Sequence, residues 1–346
     1  MTIDLKKLEI FTLENGIYSG VNTANFKNIE FWVKEINGYQ EGKLTNALGL
    51  FGAASTGKTT TAKLTAKALK YPLICVNSAG LDTQYMWETL YTQAKNIYPD
   101  TIIHGSASYT SYSNTINYEY ILQHCIVLFD ECHELSNKSQ VQLLSVLDGS
   151  TNRIDNAIQR KFPLYLKNIT WIFSTTDSGK LLYSLATRLY PVVFSEYSEE
   201  DLLHIVKLHY PEIPYDAAAV LCRTAKFVPR TAINIIKQYV NIFTQAEYSR
   251  DSALEYSMSV RQIDECGLDA IDKAILDFLK NSINNSTSTL QQYRPRSRQD
   301  ISTYCRLYDM PDLETRLGYL EKLGLVAKTK SGILWQKEIN YDFFNT

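Results

Sequence analysis

The sequence has no surplus of positive charge, no paired cysteines and no long apolar run. Its 346 residues carry 35 lysines and arginines against 37 aspartates and glutamates, a formal net charge of −2. That balance excludes a protein that holds nucleic acid by overall charge, so any DNA contact must come from a local basic face. The six cysteines, at 75, 125, 132, 222, 266 and 305, form no C-x-x-C pair. Metal ligation and a disulfide framework are not expected; reduced, mostly buried thiols are. No apolar stretch approaches the ~18 residues that span a bilayer, and the opening MTIDLKKLEI has no apolar signal core. There is no fixed-period repeat. The expected setting is the cytoplasm of a bacterial or phage-infected cell, without membrane contact. The 24 tyrosines suit an AT-rich genome such as that of a phage.

What is present is an ordinary globular balance, 45% hydrophobic and 21% charged, in a chain long enough for two or three domains. Short apolar runs alternate with helical patterns through about residue 195. NALGLF (46–51), YPLICVN (71–77), HCIVLF (124–129) and ITWIFST (169–175) read as buried parallel strands. GKTTTAKLTAKAL and LDTQYMWETLYTQAKNI carry helical spacing between them. This is an α/β layout, a parallel sheet with helices on both faces. From Ser198 the pattern turns helical, with Glu199, Glu200 and Asp201 at the positive end of the first helix dipole. A third region opens near GLDAIDKAILDFL (267–279), passes a polar stretch, and ends in two helices and a hairpin around Lys330-Ser331-Gly332. The domains expected are 1–195, 196–262 and 263–346.

GAASTGKT, Gly52 to Thr59, fits G-x-x-x-x-G-K-[ST] between an apolar strand and a helix. Its glycines let backbone N–H groups wrap a phosphate, and the helix N-terminus adds partial positive charge. Gly52, Ser55, Thr56, Gly57, Lys58, Thr59 and Thr60 are the expected ATP contacts. Lys58 would reach the β and γ oxygens and Thr59 would ligate Mg²⁺. Downstream, IVLFDECHEL (126–135) ends a buried strand at Asp130 and Glu131. Asp130 faces the carboxyl edge of the sheet, where ligands bind, and would hold Mg²⁺. Glu131 would orient or deprotonate the attacking water. His133 beside them is either a structural partner or part of the site.

Three more features narrow the class. Thr175 and Thr176 end the next strand, where a hydroxyl can bond a γ-phosphate or its water. Arg188, in LLYSLATRLYPVVFSEY, closes a helix before an apolar strand. An arginine so placed serves a neighbouring subunit's nucleotide in trans. Arg230 follows Pro229 at a helix start in the all-helical region, where it can report hydrolysis to a lid.

Taken together these motifs resemble AAA+ ATPases and, among them, RuvB-type branch-migration motors. The points of likeness are GKTT at 57–60, D-E-x-H at 130–133 and S-T-T at 174–176 where that family reads A-T-T. The others are LATR ending at Arg188, VPR at 228–230 and GLDAID at 267–272. The resemblance implies an AAA+ core, a helical lid and a C-terminal winged helix. It implies a hexameric ring acting on duplex or branched DNA. STNRIDNAIQRKFPLYLKN (150–168) would then form a hairpin that docks a junction-binding, clamp or helicase protein. The chain departs from the family in Ala53-Ala54, where prolines are usual, and in a longer segment before Asp130. Residues 101–122 of that segment read as a lid, a pore-facing hairpin or a solvent loop.

The expected DNA contacts are Arg294, Arg296, Arg298, Lys328 and Lys330. From 294 to 337 nine basic residues face five acidic ones, a local excess of four. Phosphate contact there would be salt-dependent and blind to sequence; a protein-binding wing with a solvated basic rim is the alternative. Asp-Glu-x-His helicases share the acidic motif but need a second RecA-like domain, for which the C-terminal half lacks strands. A clamp-loader subunit, or a helicase or transposition loader, remains the rival function.

Overall fold

The computed structural model describes residues 27–29, 31–32, 47–69, 71–97, 102–107, 116–121, 125–148, 166, 169–244, 249–264, 266–282 and 294–336. The chain divides into two units, Met1–Glu196 and Tyr197–Thr346.

The first unit alternates strand and helix: β1 (Ala47–Gly52), α1 (Lys58–Leu69), β2 (Leu73–Asn77), α2 (Thr83–Ile97), β3 (Ile102–Ala107), β4 (Ile116–Ile121), β5 (Cys125–Asp130), α3 (Asn137–Leu147), β6 (Ile169–Thr175), α4 (Tyr183–Ala186) and β7 (Leu189–Phe194). Five strands form one sheet in the order β2-β5-β6-β1-β7, every pair parallel. The apolar runs are nearly continuous because both sheet faces are covered. Along β5, Ile126 and Leu128 enter the core layer that holds Ala62, Ala66 and Leu69 of α1. Val127 and Phe129 enter the opposite layer with Trp87 and Leu90 of α2 and Leu143 of α3. Phe129 stacks on Phe173 at 5.4 Å and on Trp171 at 6.0 Å. Burying each such side chain contributes about 1.5–3 kcal/mol. Thus the ends of β1, β5 and β6 are brought side by side at the carboxyl edge.

The segment 101–122 contains a two-stranded antiparallel hairpin, β3 with β4, registered from Ile102↔Ile121 to Ala107↔Ile116. The expected docking hairpin at 150–168 lies outside the described residues except for buried Leu166.

The second unit starts with α5 (Glu199–His209), whose N-terminus is a capping box between Ser198 and Asp201. α6 (Tyr215–Thr224), α7 (Pro229–Phe243) and α8 (Arg250–Arg261) complete a bundle around Leu202, Val206, Ala218, Ile236 and Tyr239. α9 (Ala270–Lys280), α10 (Arg298–Cys305), α11 (Met310–Lys322) and the hairpin β8 (Val326–Thr329) with β9 (Gly332–Trp335) surround a second core of Leu268, Ile275, Leu313, Leu317 and Ile333. Phe227 packs against both cores. Four of the six cysteines are buried, and burial pushes the Cys125 and Cys222 thiols up to about 12. Among the described residues no helix is long and apolar enough to cross a membrane.

Candidate nucleotide site

The loop after β1 is shaped by backbone that few side chains permit. Gly52 has φ +148, and a Cβ there would stand 2.4 Å from the Phe194 carbonyl oxygen. Ser55 adopts φ +63 and is half-buried. Thr56 is buried and donates to Ala53 O at 2.9 Å, closing the loop on itself. Lys58, only 5% exposed, donates to Gly52 O and Ala53 O, each at 2.7 Å. A buried ammonium lying along the loop at a helix N-terminus is arranged for a polyphosphate. Thr60, in the first turn of α1, is exposed.

Thr59 Oγ1 donates to Asp130 Oδ2 at 2.9 Å, joining the end of β5 to the start of α1. Fully buried Ser174 donates to Asp130 Oδ1 at 2.5 Å from the other side. A hydroxyl and a carboxylate so placed are hard oxygen donors that fit Mg²⁺. Ser174 was not among the expected site residues. Its signal was the serine in S-T-T where alanine is usual.

Glu131 sits in left-handed backbone, φ 51 and ψ 49, which turns its side chain along the sheet edge. Its Oε2 accepts from Thr176 N at 3.1 Å and from Thr176 Oγ1 at 3.0 Å. Thr175, the expected phosphate sensor, is 1% exposed and lies 2.9 Å from His133 Nδ1. Thr175 Oγ1 also accepts from Asp177 N at 3.0 Å. His133 in turn lies 3.3 Å from Glu131 Oε2 and 3.0 Å from Glu134 Oε1. These contacts tie the end of β6 to the turn after β5. The sequence places both threonines at the strand end, but Thr175 closes β6 while Thr176 lies in the bend after it and bonds Glu131.

Arg188 follows α4 and forms a side-on pair with Asp148, Nε to Oδ1 at 2.5 Å and Nη2 to Oδ2 at 2.7 Å. Its Nη1 donates to Ser184 O at 2.7 Å. Arg230 is exposed, the second residue of α7 in the other unit.

The expected DNA contacts divide. Arg294 and Lys330 are exposed and carry no ion pair among the described residues. Arg296 is turned inward, its Nε donating to Ser282 Oγ at 2.8 Å and its guanidinium over the Phe278 ring at 5.2 Å. Its backbone also bridges to Ile333. Arg298 pairs with Glu314, and Lys328 lies 3.8 Å from Glu314 and 3.4 Å from Glu321. Arg316, counted in the basic excess, is spent on Asp269 and Asp272. The available positive face is therefore smaller than the count of basic residues.

Residues 48–197 match the family described as ATPase family associated with various cellular activities (AAA). The chain is 25% identical over 220 residues to the Holliday junction branch migration complex subunit RuvB of Nostoc sp., covering 60% of this chain and 57% of that one. It is 24% identical to the RuvB subunit of Pseudothermotoga lettingae, over 60% of this chain and 61% of the relative. The chain thus spans about three-fifths of the length of the curated relatives it matches. Among solved structures, the Thermotoga maritima RuvB Holliday junction branch migration motor superposes with TM-score 0.59 at 20% identity, over 86% of each chain. A point variant of it gives 0.63 at 19% identity, over 93% of this chain and 95% of that one. Residues 48–197 thus match the AAA family of ATPases, and the chain resembles RuvB in fold over most of its length.

Proposed function

We propose that the protein forms a RuvB-like ring, a hexamer, that hydrolyses ATP to move duplex or branched DNA in branch migration, recombination or replication. The observation that carries this reading is the meeting of Lys58, Thr59, Asp130 and Glu131 at one sheet edge, with Thr59 and Asp130 2.9 Å apart. Lys58 would exchange its loop carbonyls for β and γ oxygens. Thr59 and Asp130 would hold Mg²⁺, which supplies charge neutralisation between the phosphates. Glu131 would accept the proton of the attacking water, and Thr176 fixes where that carboxylate sits. Arg188 of a neighbouring subunit would stabilise the transferring phosphoryl group. Arg230 on a lid of residues 196–262 would sense the nucleotide, and a winged helix of residues 263–346 would carry the stroke to DNA through Arg294 and Lys330.

A second reading, a clamp-loader subunit or a helicase or transposition loader, is favoured by one observation. Glu314 and Glu321 already occupy Arg298 and Lys328, so DNA phosphates must compete with carboxylates. ATP hydrolysis measured with plain duplex, four-way junction, primer–template and single-stranded DNA, with Lys58→Ala as the blank, separates the two. Stimulation by duplex or junction DNA alone supports the motor. Stimulation only after a protein partner is added supports the loader.

A further inference from the structure

We propose that Asp148, at the C-terminal cap of α3, is the positioning residue for Arg188, aiming its guanidinium at the neighbouring subunit's nucleotide. The proposal rests on the reading of Arg188 as the trans arginine. Asp148 and Arg188 are 40 residues apart in sequence and meet only because α3 and the turn after α4 share one edge of the first unit. The guanidinium has five N–H donors in a rigid plane. Three are committed: Nε and Nη2 to the two Asp148 oxygens, and one N–H of Nη1 to Ser184 O. One N–H on Nη1 and one on Nη2 remain for a phosphate. Asp148 thus takes the side of the plane and leaves its end open.

This matters because Arg188 sits in a poor place to be held by packing. Its side chain is 32% exposed, and Asp148 is 42% exposed. An arginine side chain loses much rotamer freedom when fixed. A carboxylate that fixes it before the neighbour arrives removes that cost from the reacting complex. The Arg188 N–H groups hold the Asp148 carboxyl below its ordinary range, so the pair is fully ionised at neutral pH. As an exposed ion pair it adds little to folding. Its effect belongs to turnover.

The test uses full-length chains assembled with ATP and Mg²⁺, with ring size checked by sedimentation. Asp148→Ala is expected to lower kcat about 10- to 100-fold, with KM for ATP and the melting temperature unchanged. Asp148→Asn, which keeps the shape but not the charge, falls between. The double variant Asp148→Ala/Arg188→Ala should equal Arg188→Ala alone, since Asp148 acts through that arginine. Mixing Asp148→Ala subunits with Lys58→Ala subunits should restore part of the turnover, because an intact phosphate loop beside a Lys58→Ala neighbour meets a well-held arginine. If Arg188→Ala collapses turnover while Asp148→Ala keeps the wild-type kcat, the positioning role is wrong. A double variant well below Arg188→Ala also overturns it. If Arg188→Ala itself turns over like the wild type, the trans-arginine reading fails and takes this proposal with it.

Discussion

In the first unit the Asp130 carboxylate meets two hydroxyls, Thr59 and Ser174; in the second the Asp272 carboxylate meets two cations, Lys226 at 2.6 Å and Arg316 at 2.8 Å. Asp130 lies half-buried at a sheet edge, while Asp272 is completely buried. The hydroxyls leave the charge of Asp130 uncompensated, which suits a group that waits for a metal ion. The cations consume the charge of Asp272, which suits a fastener. Burial pushes the Asp272 carboxyl up, against the pull of Lys226 and Arg316. The cluster also takes in Asp269 and Asp312 and draws α11 and the segment before α7 onto the start of α9. Phe227 edge-on to Tyr319 at 5.3 Å, and Tyr319 donating to Cys266 O at 2.5 Å, close the same joint. Two acidic motifs of similar appearance, DECH and GLDAID, thus serve different ends, and what distinguishes them is the partner each acid finds.

That contrast predicts a hierarchy. Lys58→Ala should cut ATP turnover most, roughly 100- to 1000-fold, while the urea unfolding curve stays that of the wild type. Asp272→Ala should do the reverse. It removes the fully buried one of the two carboxylates that Arg316 and Lys226 share, leaving Asp269 alone between them, and should cost roughly 3–5 kcal/mol in unfolding of the second unit. Nucleotide binding to the first unit, followed with a fluorescent ATP analogue, should be retained. An Asp272→Ala protein as stable as the wild type would erase the distinction.

Gly267→Ala probes the same joint through the backbone. Gly267 has φ +74, and an added Cβ would stand 2.5 Å from the Arg223 carbonyl carbon. The expected loss is about 1–3 kcal/mol in thermal or urea unfolding. The smallest effect on stability should come from Arg294→Ala with Lys330→Ala, within about 0.5 kcal/mol. For DNA binding the pair should lower the salt slope by about 2, and an unchanged slope would move the DNA contact away from this surface.

Much of the first unit was legible because its signals are local. β1, β2, β5 and β6 are apolar runs between turn residues, and the observed strands lie within two residues of those read from the sequence. The phosphate loop and Asp130 follow from a motif with its own strand and helix. What was not legible is pairing over distance. Asp148 carries no sequence mark that ties it to Arg188. Arg296, Arg298 and Arg316 count as positive charge in a sum, yet one packs on Phe278 and the others are matched by carboxylates. Thr175 and Thr176 are equivalent in a strand-end reading, and only the bend after Thr175 and the left-handed turn at Glu131 separate them.

The most direct test of the account is ATP turnover per subunit, with Mg²⁺, across a range of protein concentration for the wild type and Arg188→Ala. The account predicts that turnover per wild-type subunit rises as subunits assemble and then levels off, while Arg188→Ala assembles but stays near the Lys58→Ala blank. A turnover per subunit that is independent of concentration, and equal in wild type and Arg188→Ala, would contradict it.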